Sequence, residues 1–134
     1  MDILLLDTDV YSYLARADDQ RGHPYRRHVE GKRIAICHVT VGEVLFGAVR
    51  RDWGQRRIQD LQQKLRESKL LDFDFEVGME YAVLKSRLRA EGRILADHDL
   101  WISAFALRYS IPLVSNNRTH FERIPGLVLI SEAP

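Results

Sequence analysis

Acidic residues recur beside the apolar runs of this chain. Asp7 directly follows the run Ile3–Leu6, and Glu43 comes shortly after a second run. Asp97 and Asp99 stand at the start of a third apolar segment. Carboxylates held close together repel one another, and a divalent cation such as Mg²⁺ or Mn²⁺ would neutralise them. Because such an ion can activate water and stabilise charge on a phosphodiester, the pattern indicates a metal site suited to phosphodiester cleavage.

Each of these acids also has an explanation that involves no chemistry. Asp7 could be the polar end of a strand. Glu43 lies three residues after Thr40, which is the spacing of a capping box with Thr40 as N-cap, so capping and function stay equally open. Asp97 is a plausible N-cap of the following helix. An acid at Asp99, in the first turn, would be favoured by the helix dipole whatever its function.

Three polar residues beside the apolar runs complete the candidate set. Thr8 directly follows Asp7, and Ser115 and Asn117 close a later apolar run. Asn117 could equally be a turn residue. We expect these three to be supporting polar residues of the site.

Other chemistries find little support in the sequence. His38, His98 and His120 match no zinc-binding spacing, and no glycine-rich nucleotide-binding loop is present. No serine or cysteine has an obvious neighbouring base. Cys37 is the one cysteine of the chain, which excludes an internal disulfide, and its apolar neighbours predict a small buried side chain.

Apolar runs alternate with amphipathic segments along the chain. They predict strands at 3–6, 34–37, 70–73, 111–115 and 127–130, and helices after Asp7, from Thr40, and at 55–69, 75–91 and 99–109. Sequential strand–helix units favour a mostly parallel sheet covered on both faces. Ligands bind beyond the carboxyl ends of such strands, which is where the candidate acids fall.

Two segments allow more specific predictions. The polar stretch 18–33, which contains Gly22, Pro24 and Gly31, predicts a loop that could hold a short helical piece. In the helix at 75–91, the residues predicted to face the core are Met79, Ala82, Val83 and Leu88.

The chain of 134 residues has the length of a single domain, spanning 1–134. Its net charge of +1 conceals an asymmetry, because residues 16–69 hold 13 Lys/Arg and 7 Asp/Glu. Basic residues beside an acidic site would suit a polyanionic substrate, although solvated helix faces explain any single arginine equally well. No run approaches the roughly 20 apolar residues of a membrane span, and no signal peptide is evident. A soluble, cytoplasmic protein is expected.

Four segments, in order, resemble the motifs of PIN-domain nucleases. The segment 4–9 resembles their opening strand with its Asp-Thr ending, and 41–48 resembles their second acidic motif. The segment 97–104 is similar to their third motif, and 113–127 is similar to the closing one. Together the four cover nearly the whole chain, and they resemble specifically the VapC-type toxins of prokaryotic toxin–antitoxin pairs.

The resemblance implies a three-layer α/β/α sandwich and an endoribonuclease that uses Mg²⁺, with Mn²⁺ as a substitute. Asp7, Glu43 and Asp99 would form the catalytic, metal-binding core. Asn117 would hold a fourth position that is often Asp in relatives, and Asp97 is near enough to ligate a second ion. A metal-activated water would attack the phosphorus of tRNA or another structured RNA.

The resemblance also implies a homodimer that is inhibited by a small VapB-type antitoxin and meets DNA only through it. One alternative is a catalytically silent PIN-like module that acts through an antitoxin–DNA complex, although three intact acids argue against silence. Another is a different metal-dependent phosphodiesterase or a DNase.

Overall fold

The structure is a computed structural model and describes residues 2–134. Its sheet contains the strands β1 (Ile3–Leu6), β2 (Arg33–Ile36), β3 (Lys69–Leu70), β4 (Leu113–Val114) and β5 (Leu129–Ile130). The helices are α1 (Thr8–Ala15), α2 (His23–Val29), α3 (His38–Arg50), α4 (Gln55–Leu65), α5 (Phe75–Ala90), α6 (Asp97–Tyr109) and α7 (Arg118–Phe121), with a 3₁₀ turn at Gln20–Gly22. The described strands pair in the order β3-β2-β1-β4-β5, and every pair is parallel, which confirms the predicted α/β arrangement.

Helices cover both faces of the sheet. Successive side chains of a strand point to opposite faces. Along β1, Leu5 belongs to a buried cluster with residues of α5 and α6, whereas Leu4 and Leu6 belong to a second cluster with residues of α1, α2 and α4. The two clusters define three layers, so the predicted α/β/α sandwich is confirmed.

The central strand β1 fixes where the candidate site lies. It pairs with β2 on one side and β4 on the other, so the chain changes direction across the sheet at β1. In the β1–β4 register Leu6 pairs with Val114, which places Asp7 and Ser115 side by side beyond the strand ends. Crevices at such switch points are the usual ligand sites of parallel α/β sheets.

The start of α3 differs from the prediction. β2 ends at Ile36 rather than residue 37, and the helix begins at His38 with Cys37 as an extended N-cap. Thr40 is therefore a buried residue of the first turn and not the N-cap, so the predicted capping box was wrong. Cys37 is fully buried, as predicted.

The stretch 18–33 contains the predicted short helical piece and is mostly helical rather than a loop. It contains the 3₁₀ turn and α2, whose first turn includes Pro24, a favourable position for a residue without an N–H. Tyr25 is fully buried and anchors α2 to the sheet. Gly22 approaches Tyr13 so closely that a Cβ there would lie 2.8 Å from the Tyr13 carbonyl oxygen.

Other predicted boundaries were too generous. α4 ends at Leu65 rather than residue 69, and β4 and β5 are two residues each instead of the predicted 111–115 and 127–130. β3 covers 69–70 rather than 70–73. Among residues 2–134, no helix is long and apolar enough to cross a membrane.

The inward face of α5 was predicted wrongly at three positions. Met79, Ala82 and Val83 are exposed, and only Leu88 faces the core as predicted. The helix also carries a second apolar stripe, at Val77, Leu84 and Leu88, and this is the stripe that packs against the sheet and α6. When apolar residues occupy two sides of one helix, periodicity alone does not select the buried side.

Candidate active site

Asp7 lies at the centre of the candidate site, where β1 ends and α1 begins. Its backbone N–H donates to the Val114 carbonyl at 3.1 Å, and its Oδ1 accepts from the Val10 N–H at 2.9 Å as the N-cap of α1. The residue is 4% exposed. Asp7 is therefore a structural strand end and cap, and it also presents a nearly buried carboxylate at the switch point.

Burial raises the pKa of the Asp7 carboxyl from 3.8 to about 6. The negative charges of Asp9 and Asp99 raise this pKa further. The Ser115 hydroxyl and the Val10 N–H hydrogen-bond to the carboxylate and lower it. Since a nearby cation would favour the charged form, the site is electrostatically suited to a positive ligand.

Asp99 occupies the first turn of α6 and is also 4% exposed. Its Oδ2 lies 2.9 Å from His120 Nδ1, and its Oδ1 lies 3.5 Å from His98 Nε2. Its backbone carbonyl accepts from the buried Ser103 hydroxyl at 2.8 Å. The negative charge of Asp99 raises the pKa of Asp7, so the two buried acids lie within electrostatic range of each other.

Glu43 reaches the site through Thr8. It is exposed on α3, and its Oε1 accepts a hydrogen bond of 2.5 Å from the Thr8 hydroxyl. The same hydroxyl lies 3.2 Å from that of Thr40. Glu43 is thus directed toward α1 and the Asp7 loop, and not toward the start of its own helix.

Asp97 is directed toward α5. The Tyr81 hydroxyl donates to its Oδ1 at 2.7 Å, and Lys85 Nζ lies 3.4 Å from the same atom. These two partners, Tyr81 foremost, lower the pKa of Asp97, whose side chain is 64% exposed. The N-cap of α6 is Ala96, so the prediction of Asp97 as N-cap was wrong.

The residues that follow β4 supply further polar groups to the site. Ser115 is fully buried, hydrogen-bonds to Asp7, and accepts from the Asn117 N–H at 3.0 Å. Asn117 is the N-cap of α7 and makes no side-chain capping bond. The neighbouring Asn116 accepts from the Tyr25 hydroxyl at 2.6 Å, which ties this turn to α2.

Sequence reasoning missed His120, His98 and Thr40 as neighbours of the acids. Thr40 is predicted to be a cap, and the two histidines fall within family motifs without a predicted role. A usable signal was present for His120, since it lies in the closing motif a few residues beyond Ser115. His98 is adjacent to Asp99 in the chain.

The donor set fits a hard divalent cation. Across residues 2–134, no three His, Cys, Asp or Glu side chains lie close enough to hold a metal ion as they stand. Mg²⁺, however, usually keeps several waters and binds through one or two carboxylates, which Asp7 and Asp99 supply. Burial raises the pKa of Asp7 because it disfavours the charged carboxylate, and a bound cation would stabilise that charge.

A groove of about 650 Å³ opens beside Glu43. Thr8 and Glu43 line one part of it, and Arg51, Trp53 and Arg57 line another. The Arg57 guanidinium lies 3.6 Å from the centre of the Trp53 ring. Part of the basic region at 16–69 therefore lies in the same groove as Glu43, one of the candidate acids.

The PIN-domain family model matches residues 4–127. The chain belongs to the PIN-domain family. This PIN domain is 28% identical over 131 residues to the ribonuclease VapC2 of Rickettsia felis, covering 95% of this chain and 96% of that protein. It is 24% identical over 102 residues to the tRNA(fMet)-specific endonuclease VapC of Salmonella typhimurium, covering 76% of this chain and 77% of that protein.

A solved structure shows the same fold. A chain of the Rickettsia felis VapBC2 complex, bound to a DNA fragment from its promoter, matches this PIN domain with a TM-score of 0.79 at 26% identity. The match covers 96% of this chain and 98% of that one. PIN-domain ribonucleases generally depend on a divalent metal ion, which agrees with the donor set at Asp7 and Asp99.

Proposed function

We propose that this PIN domain is the toxin of a type II toxin–antitoxin pair and acts as a metal-dependent endoribonuclease. The observation that carries the proposal is the pair of buried carboxylates, Asp7 and Asp99, at the switch point of the sheet. Relatives named as VapC ribonucleases, similar over nearly the whole chain, support the activity and its RNA substrate.

In this proposal Asp7, Glu43 and Asp99 are the catalytic residues. Asp7 and Asp99 would hold Mg²⁺, or Mn²⁺ as a substitute, and such an ion supplies a Lewis acid and activates water for attack on phosphorus. Ser115 orients the Asp7 carboxylate, and Thr8 orients Glu43 toward the same side of the sheet. No side chain is assigned as general base.

Asp97 and Asn117 have supporting roles in the proposal. Asp97 would ligate a second ion, which requires its carboxylate to leave Lys85 and Tyr81. Asn117, at the start of α7, would add a neutral oxygen donor next to Ser115. The two-ion form is therefore secondary to a single ion between Asp7 and Asp99.

We propose tRNA or another structured RNA as the substrate class. The relative named as a tRNA(fMet)-specific endonuclease supports this class. The groove with Arg51, Trp53 and Arg57 would hold a flanking strand, because arginine neutralises phosphates and an aromatic ring can stack on a base.

The VapBC complexes among the structural neighbours support an antitoxin partner. We propose a small VapB-type antitoxin as the inhibitor, a homodimer as the assembly, and contact with DNA only through the antitoxin. A tRNA substrate would place the protein in the cytoplasm.

The decisive experiment is a digest of labelled tRNA and single-stranded DNA by the purified protein, with Mg²⁺ or with EDTA. We expect cleavage of RNA with Mg²⁺ alone, and none by Asp7→Asn or Asp99→Asn. Equal cleavage of DNA would favour a general phosphodiesterase. Failure to cleave RNA and to arrest growth on expression, together with failure to bind metal, would favour the silent module.

A further inference from the structure

His120 links α7 to the buried acid of α6. Its Nδ1 lies 2.9 Å from Asp99 Oδ2, while its side chain keeps 48% of its surface exposed. The next residue, Phe121, is 1% exposed and packs into the core cluster that also contains residues of α6. α7 is thus anchored, and the His120 ring is held at a defined distance from Asp99.

We propose that His120 is a positioning residue that fixes the Asp99 carboxylate through its Nδ1–H, and thereby sets the orientation in which Asp99 would bind the divalent ion. The inference deepens the proposed function and rests on it for the ion alone. The contact between the two side chains is independent of any RNA chemistry.

The hydrogen bond suits this role because it needs only one tautomer. An Nδ1–H donates to the carboxylate whether the ring is neutral or charged, so the Asp99 orientation does not depend on protonation of Nε2. Hydrogen-bond partners of metal-ligating carboxylates typically matter by about 10–100-fold in metal affinity. A fixed Oδ2 leaves Oδ1 as the oxygen available to a ligand.

His98 is a weaker candidate for the same task. Its Nε2 lies 3.5 Å from Asp99 Oδ1, beyond the usual length of an N–H···O hydrogen bond, and its side chain is half-exposed. His98 can therefore move away when Oδ1 is needed. Oδ2 of Asp99 is therefore held by His120, whereas Oδ1 stays available to a ligand.

A matched pair of variants isolates the two ring nitrogens. The side-chain nitrogen of Asn stands where His Nδ1 stands, so His120→Asn keeps the proposed donor and removes Nε2. His120→Gln places its nitrogen near the Nε2 position and loses the donor to Asp99. Mn²⁺ titration by calorimetry should show affinity close to wild type for His120→Asn and about tenfold weaker or worse for His120→Gln.

A second measurement needs neither metal nor RNA. Long-range ¹H–¹⁵N spectra of the metal-free protein near pH 8 should show the His120 proton on Nδ1, and Asp99→Ala, which removes the acceptor, should change this tautomer preference. A free imidazole favours the Nε2–H form, so the Nδ1–H form reports the contact. Because both variants alter a half-exposed side chain, thermal melting in EDTA should show both folded.

Three results would overturn the inference: an Nε2–H tautomer in the wild-type protein, an equal loss of Mn²⁺ affinity in both variants, or no loss in either. Failure of the proposed function is distinguishable. A protein that binds Mn²⁺ with the Asn–Gln difference but cleaves no RNA supports this inference and refutes the ribonuclease. If the wild-type protein binds no Mn²⁺, the metal role fails, and the tautomer still decides whether His120 holds Asp99.

Discussion

Thr8 and Glu43 lie 35 residues apart and are joined by a hydrogen bond from the Thr8 hydroxyl to the Glu43 carboxylate. Thr8 begins the helix after β1, and Glu43 lies on the helix after β2. The contact therefore connects two βα units at the carboxyl edge of the sheet. It also explains why an exposed glutamate on α3 has a defined direction.

The Thr8→Val variant tests whether this direction matters. Valine keeps the shape of threonine but lacks the donor, so Glu43 loses its restraint while the fold stays intact. We expect RNA cleavage to fall about tenfold, which corresponds to about 1.4 kcal/mol of transition-state free energy. Thr8→Ser, which keeps the hydroxyl, is the matched control and should cleave near the wild-type rate. Equal rates for Val and Ser would show that the hydrogen bond is not needed.

Asp7→Asn should change how stability depends on pH in EDTA. The folded-state pKa of about 6 lies above the unfolded value near 3.8, so the folded protein binds this proton more tightly. The Asp7 contribution is therefore most favourable at acid pH and is lost as pH rises through 4 to 6. Asn does not titrate and is an equally good N-cap, so the variant should become more stable than wild type by about 1–3 kcal/mol above this window.

Urea denaturation between about pH 4 and pH 8 measures this difference. Added Mg²⁺ is the internal control, since it should stabilise the wild-type protein and leave Asp7→Asn nearly unchanged. Parallel stability curves for the two proteins across the window would contradict the raised pKa of Asp7.

The two acids at the start of α6 should behave differently. Asp99 is buried and its charge acts on Asp7, whereas Asp97 is exposed and contacts Tyr81 and Lys85. We expect Asp99→Asn to abolish RNA cleavage and Asp97→Asn to lower it by no more than about tenfold. Initial rates over a range of Mg²⁺ concentrations measure both effects. If Asp97→Asn were as inactive as Asp99→Asn, Asp97 would belong to the essential ligand set.

The arginines of the groove should contribute to RNA affinity. Replacing Arg51 and Arg57 by Glu should weaken binding of tRNA to inactive Asp99→Asn protein and reduce the dependence of affinity on salt. The matched control replaces Arg87 and Arg89 of α5, which lie outside the groove. Binding of tRNA is measured at several salt concentrations for both double variants. An equal loss of affinity in the two would indicate general attraction of RNA to positive charge, without a specific role for the groove.

The two apolar stripes of α5 predict opposite outcomes for neighbouring residues. Leu84 is buried in the core, so Leu84→Ala should lower the free energy of unfolding by about 2–5 kcal/mol. Val83 is about half exposed, and Val83→Ala should change the free energy of unfolding by less than about 0.5 kcal/mol. Urea denaturation of both variants is the measurement. A large loss at Val83 would mean that its face is covered in solution.

Sequence reasoning could place Asp7 and Ser115 because contiguous apolar runs precede both residues. Buried parallel strands have that pattern, and parallel strands end at the same edge. The third acid was harder to assign, since Asp97 and Asp99 both fall in the first turn of α6. The family motifs favoured Asp99, and the structure shows Asp97 bound to Tyr81 on another helix.

Contacts between distant elements could not be predicted from the sequence. The spacing of Thr40 and Glu43 fits a local cap. In the structure, however, Glu43 accepts its hydrogen bond from Thr8, which lies on another βα unit. The His120–Asp99 contact depends on how α7 packs against α6. Neither of these two contacts produces a periodic pattern of residues in the sequence.

α6 carries Asp99 within a run of buried residues that includes Leu100, Ile102, Ala104 and Phe105. A genetic selection for loss of toxicity would therefore recover many substitutions in this helix, most of them lowering the amount of folded protein. Only variants whose cellular abundance equals that of wild type would identify catalytic positions. For this helix, protein level has to be measured beside growth before any inactive variant is assigned to chemistry.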